Sequence, residues 1–191
     1  MRIRTMALAF LAVVVAAGAF VSTPAYAGAA TQPVTGSGRI TVPMKRTGVD
    51  HQVAAAHGYV VRTGADGVEY AAKPGDVTPF NTVPGDCGIS WINFVGSNPY
   101  THHTTIQTGF QLANGYPGAV HVEWDIDIID DYGVSNPGWV EYPPSVHRWE
   151  KFYPFTSAGS GIAVTDVILG IAILWDGTIC FSYDPSDSTG L

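Results

Sequence analysis

Residues 119–129 read AVHVEWDIDII, and their alternation decides the fold class. Val122, Trp124, Ile126 and Ile128 fall on one side of an extended chain, and His121, Glu123, Asp125 and Asp127 on the other. Successive side chains of a β-strand point to opposite faces, so this is a strand with one face in a core and one in water.

The same reading extends outward from this strand. Toward the N-terminus, Thr104–Leu112 and Ile89–Val95 are rich in β-branched and aromatic residues and flank the loop GSNPYTHH at 96–103. Toward the C-terminus, Asp130-Asp131-Tyr132-Gly133 is a turn, and Val140–Tyr142 and His147–Tyr153 are shorter strands on either side of Pro143-Pro144. Ile162–Trp175 is apolar on both faces and is expected in a central position, with Gly170 as a bulge or bend. Asp176-Gly177 suits a type I′ hairpin turn, and Ile179–Tyr183 is its return strand. The tail PSDSTGL reads as turn-like. Short strands spaced by turn signals predict an all-β domain over 87–191, an antiparallel β-sandwich of the Ig-like or jelly-roll-like kind.

Upstream, Asp50 is an N-cap and Gly58 a C-terminal stop for a short helix, HQVAAAH. Tyr59–Thr63 and Val68–Ala72 form a β-hairpin across Gly64–Gly67. Residues 50–86 are therefore a helix-hairpin unit followed by a Pro/Gly-rich linker from Lys73. Residues 28–49 show no period and read as a flexible arm carrying a dibasic pair, Lys45-Arg46. Residues 1–27 combine Arg2 and Arg4, an apolar run from Met6 to Val21, and Ala25-Tyr26-Ala27. Those are the three parts of a signal peptide cleaved after Ala27. The apolar run spans 16 residues, short of the ~20 of a membrane-spanning helix. The mature protein is expected to be secreted and extracellular, with no membrane partner after cleavage.

Composition narrows the partners. The chain has 9 Lys+Arg and 16 Asp+Glu, and without Arg2 and Arg4 the balance is 7 against 16, or −9. Residues 28–86 are neutral, so the acidity lies in 87–191, where Arg148 and Lys151 are the fixed cations. Nucleic-acid affinity comes from Lys and Arg displacing counterions, so nucleic acid and anionic membrane are excluded as partners. In an exported chain the lone pair Cys87 and Cys180 is expected to form a disulfide. Closing a loop that long is worth about 4–5 kcal/mol on the chain-entropy account.

Three residue sets carry candidate chemistry. His121 and Glu123 leave one face of a strand, and with His103 from the preceding loop they would supply three ligands of a zinc site. Asp125, Asp127, Asp130 and Asp131 offer oxygens to calcium, although Ile128 and Ile129 break the EF-hand pattern. Beyond these two ions no cofactor is expected. The third set is aromatic: Trp139, Tyr142, Trp149 and Tyr153 lie near Pro- and Gly-rich loops and would form a flat platform for an extracellular glycan or a protein. Carboxylate pairs such as Glu123/Asp125 or Glu141/Glu150 would suit glycoside hydrolysis. Gly-x-Ser-x-Gly is incomplete at Ser157–Gly161, and neither a zinc helix motif nor a phosphate loop is present.

The stretches HQVAAAHGYVVRTGADGVEYAAKPGD (51–76), FNTVPGDCG (80–88) and ILWDGTICFSYDPSDSTGL (173–191) resemble a set of small secreted proteins of actinomycetes. That resemblance implies secretion and the Cys87–Cys180 pairing, and it implies no activity. The function expected from the sequence is a secreted, non-catalytic β-sandwich that binds a glycan or a protein. The alternatives are a small carbohydrate-active enzyme, hydrolase or lyase, and a protease inhibitor presenting residues 133–145.

Overall fold

The structure, a computed structural model, describes residues 39–76 and 86–191. The expected signal peptide at 1–27, residues 28–38 of the expected arm and residues 77–85 of the expected linker lie outside the described residues.

The alternating segment forms β6 (Ala119–Asp130), with Val122, Trp124, Ile126 and Ile128 buried. Along most of its length β6 pairs with β10 (Ile162–Leu174). Its other edge takes two short strands, β7 (Gly133–Ser135) and β8 (Gly138–Glu141). Beyond β10 the ladder runs through β11 (Thr178–Ser182), β1 (Thr41–Val49), β4 (Asp86–Asn98), β5 (His103–Leu112) and β9 (Arg148–Thr156). The C-terminal β12 (Ser186–Gly190), expected as a turn-like tail, pairs with β10 over Ile162–Asp166. These ten strands form one antiparallel sheet.

The sheet curls onto itself. β6 and β5 are five steps apart in the ladder, which in a flat sheet is about 24 Å at the usual strand spacing. Yet the Trp124 ring lies 5.8 Å from Phe110 of β5 and 5.4 Å from Trp149 of β9. Across this interior, Trp124 Nε1 donates to Thr108 Oγ1 at 2.9 Å, and the Thr108 hydroxyl donates to the Trp91 carbonyl at 2.9 Å. Met44, Ile92, Ile106, Val167 and Leu174 fill the space around them. At the two ends of the curl, β8 meets β9 through side chains: Trp139 packs edge-on to Trp149 at 6.1 Å, and Glu141 is ion-paired to Lys151.

Residues 41–49 correct the expectation of a flexible arm. They form β1, hydrogen-bonded to β11 on one side and β4 on the other. Pro in a run argues against a central strand, but Pro43 sits next to a register shift at Met44/Lys45, where the ladder is already irregular. Lys45-Arg46 therefore lies inside a strand paired on both edges. The disulfide forms as expected: Cys87 of β4 and Cys180 of β11 are buried and bonded, with Cα atoms 5.9 Å apart. It joins the two strands that flank β1.

Helix α1 (His51–Ala56) starts where the Asp50 carboxylate accepts from the N–H groups of Gln52 and Val53, both at 2.9 Å. β2 (Val60–Thr63) and β3 (Glu69–Ala72) pair only with each other. Val49, Ala54 and Ala71 make a second small core, with Tyr59 and Val61 against it. The Asp176-Gly177 turn that docks on this unit differs from the expected type I′ form. Asp176 keeps a negative φ, and Gly177 N–H donates to the Leu174 carbonyl at 2.8 Å. Gly177 alone is left-handed at φ +86°, where a Cβ would stand 2.5 Å from the Asp50 carbonyl oxygen. Beside this turn the Trp175 ring packs tilted against His57, with centroids 3.9 Å apart and planes 30° from parallel.

Two outcomes follow from this architecture. Thr108→Val preserves shape but leaves the buried Trp124 N–H without its acceptor, which is expected to cost about 1–3 kcal/mol; a lower urea midpoint at unchanged slope is the readout. Deleting residues 1–49 removes the strand between β4 and β11, and the truncated chain is expected to lose the dispersed amide spectrum of a folded domain.

Candidate functional site

The outer face of β6 near its start holds one exposed polar-aromatic patch. Glu123 is paired opposite Val140 of β8, so both point outward, away from Trp124 and Trp139. Two residues beyond Val140, past the end of β8, Tyr142 stacks on His121 with ring centroids 4.5 Å apart and planes 18° from parallel. Tyr142 is 76% exposed, while the His121 side chain is mostly covered. His121 Nε2 lies 3.3 Å from Glu123 Oε1, in reach of an ion pair but without hydrogen-bond alignment. The result is a tyrosine ring held flat, with a carboxylate and an imidazole beside it.

The other sequence candidates fall elsewhere. Trp149 is buried in the core, and Trp139 and Tyr153 are half-buried against it. Their cross-strand partners, Phe110 for Trp149, Trp124 for Trp139 and Ile106 for Tyr153, all face inward, and register carries each aromatic to the same side. Of the expected aromatic platform only Tyr142 is presented to solvent. The expected metal set is not assembled either. β5 and β6 are joined by a short turn at Ala113–Gly118, so His103 and His121 stand at opposite ends of the sheet. The ten residues of β5 span about 30 Å. His103 instead meets Thr156, Nδ1 to Oγ1 at 2.5 Å. Among the described residues no group of three or more His, Cys, Asp or Glu converges in a way that would hold a metal.

The expected calcium set is likewise dispersed. Asp125 and Asp127 face outward from β6, and Asp130 caps the β6–β7 turn, accepting from Tyr132 N–H. Burial acts to raise the Asp130 carboxyl, but hydrogen bonds from Ser157 and from the backbone of Tyr132 and Gly133 outweigh it and hold it low. Residues 133–145 contain β7 and β8, both paired to β6, rather than a free loop.

Of the two carboxylate pairs expected to serve hydrolysis, Glu141 and Glu150 are occupied. Glu141 accepts from Lys151 and from Trp149 Nε1, and these bonds hold it below the ordinary carboxylate range. A carboxyl kept ionised in this way is unsuited to act as a general acid. Glu150 takes Arg39 at 3.1 Å, Arg148 at 3.0 Å and the Gln107 amide at 2.5 Å on one oxygen. Both guanidinium groups also stack over Trp91, at 4.3 and 5.1 Å, and close it off from water. The sequence reading missed this cluster because Arg39 lies in the presumed arm; the signal available was the scarcity of cations in 87–191.

A comparison of the chain with protein-family models, with curated proteins and with solved structures finds no match.

The Glu141 contacts set a pH dependence. A carboxyl whose folded value is depressed contributes stability above its unfolded value and loses it as pH falls through the folded one. Urea midpoints are thus expected to drop as pH falls below about 4.5, the ordinary value of such a group, and Glu141→Gln is expected to flatten that acid limb while lowering the midpoint at pH 7.

Proposed function

We propose that the chain is an exported protein that binds an extracellular glycan and carries out no reaction on it. The observation that carries this reading is Tyr142, exposed and held flat by its stack on His121. The negative face of an aromatic ring attracts the weakly positive C–H groups of a pyranose. Glu123, next to the ring and partly exposed, offers hydrogen bonds to sugar hydroxyls. Pre-orientation by stacking reduces the ordering cost of binding.

The disulfide supports an oxidising compartment, since such bonds persist outside the cytosol. The signal-peptide pattern at 1–27 agrees with it. The engagement of Glu141 and Glu150 in ion pairs favours binding over hydrolysis. Under this reading the curled sheet is sandwich-like, its β6/β10 half serving as one layer and its β4/β5/β9 half as the other.

The test is retention of the secreted mature chain on insoluble polysaccharides: cellulose, chitin, xylan and peptidoglycan. At least one polymer is expected to retain it, and Tyr142→Ala is expected to weaken retention about tenfold, a loss of roughly 1.4 kcal/mol, with unchanged circular dichroism. A wild-type chain that binds none of the four would end the glycan reading.

A further inference from the structure

Farther along β6, away from Tyr142, the outer face carries two rows of side chains that the curl does not use. In the first, Val134 of β7, Ile129 of β6 and Val164 of β10 stand directly opposite one another across three strands, and Ile162 follows on the same side of β10. They are 60%, 43%, 37% and 66% exposed. In the second row, Asp127 of β6 faces Asp166 of β10 one to one. Asp125 lies next along β6. Same-face neighbours on a strand are two rises apart, about 6.6 Å, so the aliphatic and acidic rows run side by side.

Neither row serves the fold. Like charges directly opposite one another on neighbouring strands destabilise a sheet. Burial, and then the charges of Asp127 and Asp184, push the Asp166 carboxyl up. Asn136 donates to Asp127, but among the described residues neither Asp127 nor Asp166 has an ion pair with Lys or Arg, and the fixed cations of 87–191, Arg148 and Lys151, are held by Glu150 and Glu141. An exposed aliphatic strip bordered by uncompensated carboxylates has a definite complement.

We propose that this face docks a partner protein whose contact surface sets aliphatic side chains against Val134, Ile129 and Val164, and lysine or arginine against Asp127 and Asp166. A second copy of this chain would bring acid to acid and is disfavoured by its charge. The surface is separate from the Tyr142 patch, and the proposal stands or falls independently of glycan binding.

The test is an amide NMR titration of the mature chain with a twelve-residue peptide of Leu-Thr-Lys-Thr repeats, which puts Leu and Lys at i and i+2 on one face of a strand. Shifts are expected to be confined to β6, β7 and β10 and to weaken with salt. Asp127→Asn/Asp166→Asn and, separately, Ile129→Thr/Val164→Thr are each expected to weaken binding about tenfold. The distant exposed Asp76→Asn should leave it unchanged. The proposal is overturned by an absence of shifts, by shifts spread over the molecule, or by equal binding of the Leu-Thr-Glu-Thr peptide. It is equally overturned if calcium alone reproduces the shifts, or if the chain forms a dimer that Ile129→Thr/Val164→Thr abolishes.

Discussion

The hydrogen bond from Trp124 to Thr108 governs the rest of this molecule. A buried indole N–H without an acceptor is costly, and Trp124 is fully buried. Its acceptor sits five strands away in the ladder, so the bond exists only when the sheet has curled. It also fixes parity. A slip of β6 by one residue would turn Trp124 to water and bring Asp125 into the core, which no cation there would neutralise. Once Trp124 points inward, His121, Glu123, Asp127 and Ile129 must point outward. Both candidate surfaces are therefore consequences of one internal contact.

A second constraint comes from β1. The sheet is continuous only because an N-terminal strand lies between β4 and β11, and β11 belongs to the last part of the chain. Its ladder contacts with β11 join residues 129 to 138 positions apart, from Val49 and Thr178 to Met44 and Ser182. Pairing of this kind is slow, because loop-closure entropy is lost before the contact forms. The Cys87–Cys180 bond ties together the two strands that flank β1, so it limits how far its slot can open. Arg39, just ahead of β1, adds a surface link from the same segment to β9 through Glu150.

These constraints explain what the sequence reveals and what it hides. β6, the Asp50 cap and the Cys87–Cys180 pairing stand where alternation, capping chemistry and a lone cysteine pair place them, and the Asp-Gly dipeptide marks the β10–β11 turn although Gly177 alone takes the left-handed conformation. β1 obeys no local rule. Its Pro43 and Gly48 read as loop, and it becomes a strand only because β4 and β11 supply edges on both sides. β12 is the same case, a tail of Ser, Asp and Thr given order by β10. Trp139, Trp149 and Tyr153 look like a platform in sequence, but register turns each of them to the inner side. The spacing of His103 from His121 gives no hint that a tight turn sends them to opposite ends of the sheet.

Charge links the closure of the fold to its open surfaces. Residues 87–191 hold eleven Asp and Glu against two Lys and Arg. Both cations are used where β8 and β9 meet or where Trp91 is covered, and Arg39 is drawn in from outside that segment to help. Closing the curl thus uses both cations of residues 87–191, and among the described residues neither Asp127 nor Asp166 has an ion pair. The opposed pair Asp127 and Asp166 costs stability there, and substitution of either by a neutral residue would relieve the strain without touching the core. Proteins depart from locally consistent choices mainly at sites of function. That a pair so easily improved stands beside an exposed aliphatic row is the physical case for reading that face as one built to be met by another molecule.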